Sequence, residues 1–101
     1  MFLAMNRFQV YQGRENDFIE VWRSRESYLD QVPGFKSFNL LQGASEDGIT
    51  LFASHSEWEN RQVFEEWTRS EAFRKAHAGA GKNSDGIYAG PPRLELLESV
   101  L

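Results

Sequence analysis

The fold is decided by the first strand-like segment, residues 2–10, which reads Phe2-Leu3-Ala4-Met5-Asn6-Arg7-Phe8-Gln9-Val10. Side chains alternate between the two faces of a strand, so the even-numbered residues of this segment would share one face and the odd-numbered residues the other. Both faces begin with apolar residues. We therefore expect both to be covered, one by helices of the same chain and the other by a partner subunit.

The sequence that follows this strand predicts two helices and three more strands. Pro33-Gly34 is a clear break after the first helix, and Glu46-Asp47-Gly48 is typical of a hairpin turn. The predicted elements are a helix from about Glu15 to Leu29, strands at Phe35–Gln42 and from Ile49 to about Trp58, a helix capped by Asn60 and restarted at Ser70 as far as His77, and a last strand at Arg93–Leu101. The order is βαββαβ with the second helix split, which predicts a ferredoxin-like α+β sandwich.

Length and composition narrow the class of protein. The chain has 101 residues, which fits one domain over residues 1–101. A net charge of −4 argues against nonspecific nucleic-acid binding, and the lack of cysteine excludes disulfides, thiolate catalysis and iron–sulfur clusters. The apolar start gives way to Asn6-Arg7, too short for a signal segment, and no apolar run is long enough to span a membrane. We expect a cytoplasmic protein with no nucleic-acid or membrane partner.

Asn6 is the most unusual residue of the first strand. It lies between Ala4 and Phe8 on an apolar strand face, and asparagine is a poor strand former. A buried amide that lacks hydrogen-bond partners costs about 1–3 kcal/mol, so Asn6 needs a partner. The chemistry alone leaves two possible partners for the Asn6 amide: a backbone carbonyl near the sheet edge, or a small bound ligand.

Two further candidates lie in the split second helix. Trp67 falls on the apolar stripe with Val63 and Phe64, where it is either core or a wall for a flat ligand. His77 ends the restarted helix, where it either interacts with the helix dipole or ligates a metal such as haem iron. His55, in the third strand, is the rival histidine for a metal site.

These residues carry a resemblance to a known family. Asn6-Arg7, Val32-Pro33-Gly34-Phe35, Trp58-Glu59 and Trp67…Phe73-Arg74-x-x-His77 together resemble the IsdG-type haem-degrading monooxygenases of the antibiotic biosynthesis monooxygenase (ABM) superfamily. The Pro-Gly-Phe and Trp-Glu pieces are shared across the superfamily and so indicate the fold. The set of Asn6, Trp67 and His77 is specific to the haem-degrading branch, and the resemblance covers nearly the whole chain.

The resemblance implies a haem oxygenase in which haem is both substrate and cofactor. His77 would ligate the iron, Asn6 would hydrogen-bond the ligand on the opposite side of the iron, and Trp67 would push the porphyrin out of plane. The enzyme would open the ring with O2 and electrons from an external donor, through a reductase not yet identified, and release iron. The family works as a homodimer whose sheets pair into a barrel at the dimer interface.

Two other functions remain compatible with the sequence. One is a cofactor-independent ABM monooxygenase that oxidises a phenolic or quinol polyketide and needs no His77. The other is a non-catalytic haem-binding protein with the same iron ligand. The Gly-rich segment Gly79–Pro92, which contains Lys82, Asn83 and Asp85, is predicted to be a loop that lies over the haem or against the partner subunit.

Overall fold

The computed structural model describes residues 1–25, 28–77 and 86–101. The elements along the chain are β1 (Phe2–Tyr11), α1 (Glu15–Arg23), a 3₁₀ turn (Leu29–Gln31), β2 (Phe35–Glu46), β3 (Ile49–Trp58), α2 (Arg61–Thr68), α3 (Glu71–His77) and β4 (Arg93–Glu98). The strands form one antiparallel sheet in the order β2-β3-β1-β4. This order, with helices on one face, confirms the predicted ferredoxin-like α+β fold and its split second helix.

The even-numbered residues of β1 lie on the face that the helices cover, which we call the covered face. Phe18 of α1 packs there in one apolar cluster with Phe8, Val10, Phe52 and Ile87. A second cluster, under α2 and the 3₁₀ turn, is formed by the following buried side chains: Phe2, Ala4, Leu29, Trp58 and Phe64. Asn6 lies on β1 between these two clusters, and the interruption of the core at this point leaves room for a cavity.

The first helix is shorter than the sequence predicts. It ends at Arg23, because the backbone N–H groups of Ser24 and Arg25 close the last turn on the carbonyl oxygens of Glu20 and Trp22. Tyr28 then adopts φ 58°, a left-handed conformation that no continuous α-helix contains. The prediction of helix as far as Leu29 was therefore wrong, and Leu29 instead begins the 3₁₀ turn that drives its own side chain into the core.

Two strand ends also differ from the prediction. β2 continues four residues beyond Gln42, to Glu46, with a register shift between Gln42 and Ser45 that lets the strand bend and keep pairing up to the hairpin turn. β4 ends at Glu98 rather than Leu101, after which Ser99 donates a backbone hydrogen bond to the Met1 carbonyl at 2.9 Å. The hairpin turn itself, with positive φ at Asp47 and Gly48, is confirmed.

Both predicted helix caps are present. The Asn60 side chain accepts a hydrogen bond from the backbone N–H of Val63 at 3.0 Å, which begins α2. The Ser70 hydroxyl oxygen accepts from the backbone N–H of Phe73 at 3.1 Å and donates to the Trp67 carbonyl at 2.6 Å. Ser70 thus ends one helix and begins the next, and it fixes the angle at which α3 leaves Trp67.

Part of the predicted Gly79–Pro92 loop is sheet edge. The N–H of Tyr11 donates to the Ile87 carbonyl at 2.9 Å, and the N–H of Ala89 donates to the Gln9 carbonyl at 2.8 Å. These bonds continue the β4 side of β1 and bury Ile87 completely. Residues 78–85, with Lys82, Asn83 and Asp85, lie outside the described residues.

The other face of the sheet, which carries the odd-numbered residues of β1 and which we call the open face, has no helix against it in the described part of the chain. Leu41, Leu51 and Leu97 are each more than a third exposed on this face. A partner subunit on this face, with a barrel between the two sheets, stays a prediction. Among the residues that the structure describes, no helix is long and apolar enough to cross a membrane.

Candidate functional site

A cavity of about 500 Å³ lies between the covered face and the helical layer. It is lined by the following residues: Ala4, Asn6, Trp22, Arg25, Leu29, Phe38, Ser54, Ser56, Phe64, Trp67, Thr68, Phe73, His77 and Leu94. All three site residues named from the sequence are among them. The rival histidine, His55, pairs with Met5 across the sheet and therefore belongs to the open face, away from this cavity.

Asn6 contributes an amide to the floor of the cavity. It pairs with Ser54 of β3 on one side and with Leu94 of β4 on the other, so it lies in the middle of the sheet rather than at an edge. Its Oδ1 is buried, and no described residue donates a hydrogen bond to it. A carbonyl could accept only from the amide Nδ2, and no described carbonyl does so. The structural reading of Asn6, in which a protein carbonyl near the sheet edge satisfies the amide, therefore finds no support in the described part of the chain.

Trp67 forms the helical wall of the cavity. Its ring packs against Trp58 with centroids 5.0 Å apart and meets the edge of Phe73 at 4.8 Å, with an angle of 85° between the ring planes. Through these contacts Trp67 belongs both to the core and to the cavity wall. The two roles predicted for it, a core residue and a wall for a flat ligand, are therefore compatible. Its buried indole Nε1 finds no acceptor among the described residues.

His77 is held in one orientation at the end of α3. Its Nδ1 is 2.8 Å from the Phe73 carbonyl oxygen, and its ring stacks on the Phe73 ring with centroids 4.1 Å apart and planes 29° apart. A carbonyl oxygen can only accept a hydrogen bond, so Nδ1 carries the proton, and in the neutral imidazole the lone pair is on Nε2. Such a bond on one ring nitrogen is the usual arrangement behind a histidine that ligates a metal through the other.

The opposite wall contains two residues whose place the sequence did not reveal. Trp22 stacks on Phe38 at 5.6 Å, and the Arg25 guanidinium lies 4.2 Å from the centre of the Trp22 ring. The only sequence signal for their contact was the i,i+3 spacing of Trp22 and Arg25. Because α1 ends at Arg23, between the two residues, helical spacing alone does not predict that they meet.

Arg25 is a half-buried cation at this wall. Burial lowers the pKa of its guanidinium, and the nearby Tyr88 phenol acts in the opposite direction, while burial raises the pKa of Tyr88 itself. No carboxylate of the described chain forms an ion pair with Arg25. Because an arginine stays charged at any physiological pH, this wall is suited to an anionic group of a ligand.

The described residues contain no group of three or more His, Asp or Glu side chains that could hold a bare metal ion. One histidine with a free Nε2 beside a wide apolar cavity is instead the donor set that suits a metal already held by a macrocycle, such as haem iron. The tilted aromatic wall, the unsatisfied amide and the unpaired arginine fit the same kind of ligand, a flat molecule with a polar or anionic rim.

Comparison with known proteins identifies the family of the chain. The profile of the family described as "Antibiotic biosynthesis monooxygenase" matches residues 1–79. A heme-degrading monooxygenase of Shouchella clausii is 26% identical over 87 residues, which cover 86% of this chain and 80% of that protein. The staphylobilin-producing heme oxygenase 1 of Staphylococcus aureus is 27% identical over 85 residues, or 83% of this chain and 78% of that protein.

Solved structures share the fold at lower identity. A putative antibiotic biosynthesis monooxygenase of Bacillus cereus has a TM-score of 0.78 and 21% identity, over 99% of this chain and 91% of that chain. The haem-degrader MhuD of Mycobacterium tuberculosis, solved with two hemes in its active site, has a TM-score of 0.73 and 23% identity, over 100% of this chain and 97% of that one. With the family profile covering most of the chain, the protein belongs to the antibiotic biosynthesis monooxygenase family.

Proposed function

We propose that this protein is a haem-degrading monooxygenase, an oxidoreductase that opens the porphyrin ring with O2 and external electrons and releases iron. The observation that carries the proposal is the oriented imidazole of His77, whose Nε2 is left free at a cavity that also contains Asn6 and Trp67. The relatives named as haem-degrading enzymes support the substrate class.

The residues present fit a haem between the helical wall and the sheet. Nε2 of His77 would hold the iron, and the Phe73 carbonyl on Nδ1 would keep the ring in place and raise its basicity. The Asn6 Nδ2, which bonds no described residue, would donate a hydrogen bond to the small ligand that haem binds. Haem bound in this way would supply the redox centre for O2 and the porphyrin carbon that is oxidised.

Trp67 would act on the shape of the macrocycle. Its ring is fixed between Trp58, Phe64 and Phe73, so it cannot move away from a flat ligand without disturbing the core. Trp67 would therefore set the position and shape of a porphyrin that packs against it. This is a positioning effect, and such effects account for a large part of many catalytic rate gains.

The apolar lining would exclude water, and Arg25 would orient the ligand. Phe38, Phe64 and Leu94 leave the cavity few polar contacts apart from those already described. The Arg25 guanidinium, held over Trp22, would pair with a propionate carboxylate of haem and so select one orientation in the cavity. Loss of Arg25 would then weaken binding without changing the iron ligand.

The proposal also covers the oligomeric state of the protein, its location in the cell and its source of electrons. The apolar open face, with Leu41, Leu51 and Leu97, supports a homodimer that pairs its two sheets into a barrel. We further propose a cytoplasmic enzyme that receives electrons from a separate reductase, because ring opening with O2 consumes electrons.

The experiment that tests the function is an absorption titration of the purified protein with haemin, followed by ascorbate in air with catalase present. We expect a Soret band to form and then decay into linear-tetrapyrrole absorbance. A Soret band that persists with several electron donors would make the protein a haem carrier. No Soret band would refute the haem assignment and redirect the search to quinol substrates.

A further inference from the structure

Ser54 of β3 is a polar side chain on the floor of the cavity that no sequence motif singles out. It is paired directly with Asn6 in the register of β1 and β3. Side chains directly opposite each other in an antiparallel pair lie on the same face, with Cβ atoms about 4.5–5.5 Å apart. Ser54 and Asn6 therefore present a hydroxyl and an amide side by side to the same cavity.

Ser54 differs from the other hydroxyl residues on the covered face of β3. The Thr50 hydroxyl donates to Glu15 at 2.7 Å and contacts the Ser45 hydroxyl at 2.6 Å. The Ser56 hydroxyl donates to the Ala4 carbonyl at 3.3 Å and accepts from Trp58 Nε1 at 2.9 Å. Both of these hydroxyls therefore have hydrogen-bond partners within the protein.

The Ser54 hydroxyl has no such partner among the described residues. Ser54 is only 9% exposed, and no described residue bonds its hydroxyl. The hydroxyl oxygen is open to the cavity, where it is free to donate to a ligand. An amide and a hydroxyl in adjacent positions, neither of them bonded to a described residue, are therefore both available to a ligand of the cavity.

We propose that Ser54 is a second hydrogen-bond donor to the small ligand on the sheet side of the bound porphyrin, acting beside Asn6. This inference rests on the proposed function and adds a residue to it. The amide and the hydroxyl would approach that ligand from neighbouring strands, β1 and β3, and would fix its direction across the porphyrin. A single donor would fix one hydrogen bond to the ligand, whereas two donors on different strands would also restrict its orientation.

The test uses carbon monoxide as the probe, because its stretching frequency on ferrous haem falls when nearby donors point at it. We compare infrared spectra of the haem–CO complexes of the wild type, Ser54→Ala and Ser54→Thr. We expect the CO stretch to rise in Ser54→Ala and to return toward the wild-type frequency in Ser54→Thr, which keeps the hydroxyl. Neither change should alter the spectroscopic signature of the His77 ligand.

Stability of the ligand-free protein separates a ligand-binding role from a structural one. Ser54→Ala should leave the free energy of unfolding unchanged or raised, because the hydroxyl has no partner to lose. The matched control is Thr50→Val, on the same strand face but not in the cavity lining, which should lower stability by removing the bond to Glu15 while leaving the CO stretch at the wild-type frequency.

The outcomes separate a failure of the proposed haem function from a failure of the proposed role of Ser54. A wild-type protein that forms no Soret band with haemin overturns the proposed function, and this inference with it. A normal haem spectrum with the same CO stretch in the wild type and Ser54→Ala overturns the role of Ser54 alone. A fall in the stability of ligand-free Ser54→Ala would likewise assign the hydroxyl to the fold rather than to the ligand.

Discussion

Replacement of Asn6 by leucine should make the ligand-free protein more stable. The Asn6 Oδ1 is buried without a hydrogen-bond donor in the described chain, and an unsatisfied buried polar group costs about 1–3 kcal/mol. Leucine has a similar size, and the adjoining cavity leaves room for its branched end, so overpacking should not offset the gain. We therefore expect the free energy of unfolding to rise by about 1–3 kcal/mol.

The assay is urea unfolding of the ligand-free protein, followed by tryptophan fluorescence and circular dichroism. The midpoint should rise while the slope m stays the same, because the surface exposed on unfolding hardly changes. In a domain of this size, a gain of 1 kcal/mol corresponds to a rise in Tm of about 4–8 °C. Asn16→Leu, at an exposed position of α1, is the control and should change stability by less than about 0.5 kcal/mol.

The same variant should lose function as it gains stability. Asn6→Leu should still form a Soret band with haemin, since His77 and the apolar walls are intact, but it should degrade haem much more slowly than the wild type. A fall in stability of about 1 kcal/mol or more, with an unchanged m, would refute this reasoning. That result would mean that Asn6 is held by the protein and supports the strand rather than a ligand.

Three further changes test other parts of the structure. His77→Ala should bind haemin without the spectrum of an axial histidine and should not turn it over; an unchanged resonance Raman signature would remove His77 as the iron ligand. Gly34→Ala should destabilise the protein by about 2–4 kcal/mol in urea unfolding, because Gly34 has φ +84° and a Cβ there would lie 2.6 Å from Val63 Cγ2; a loss below 1 kcal/mol would contradict this. The Thr50 hydroxyl donates to the Glu15 carboxylate and lowers the pKa of this group from its ordinary value. Its contribution to stability is therefore present above the unfolded-state pKa and is lost as pH falls through the lower folded-state pKa, and Glu15→Gln should flatten the acid limb of the stability profile; an unchanged limb would argue against this bond.

Much of the fold follows from local sequence patterns. The alternation in residues 2–10 identified β1 and its apolar even face, and the hairpin signal at Asp47-Gly48 marked the turn between β2 and β3. The caps Asn60 and Ser70 were predicted correctly because a cap depends on side-chain bonds within a few residues. Short-range rules are sufficient for features whose partners are close in the chain.

The end of the first helix shows where such rules fail. The apolar spacing from Phe18 to Leu29 is helical, yet Leu29 is buried in a different cluster from Phe18. Its burial against Trp58 and Phe64 requires the chain to leave the helix and turn at Tyr28. Ile87 was missed for the same reason, since its burial depends on a pairing with β1 that is remote in sequence.

For the site, the sequence by itself determined which side chains could take part, and the structure decided which of them meet. Asn6 and His77 stood out by residue type and position, and their resemblance to a family pattern named a chemistry for them. That they line one cavity, that His55 does not, and that Ser54 and Arg25 do, depended on strand register and on where α1 ends. Register and helix ends are set by packing between distant segments, and a single sequence carries no direct record of that packing.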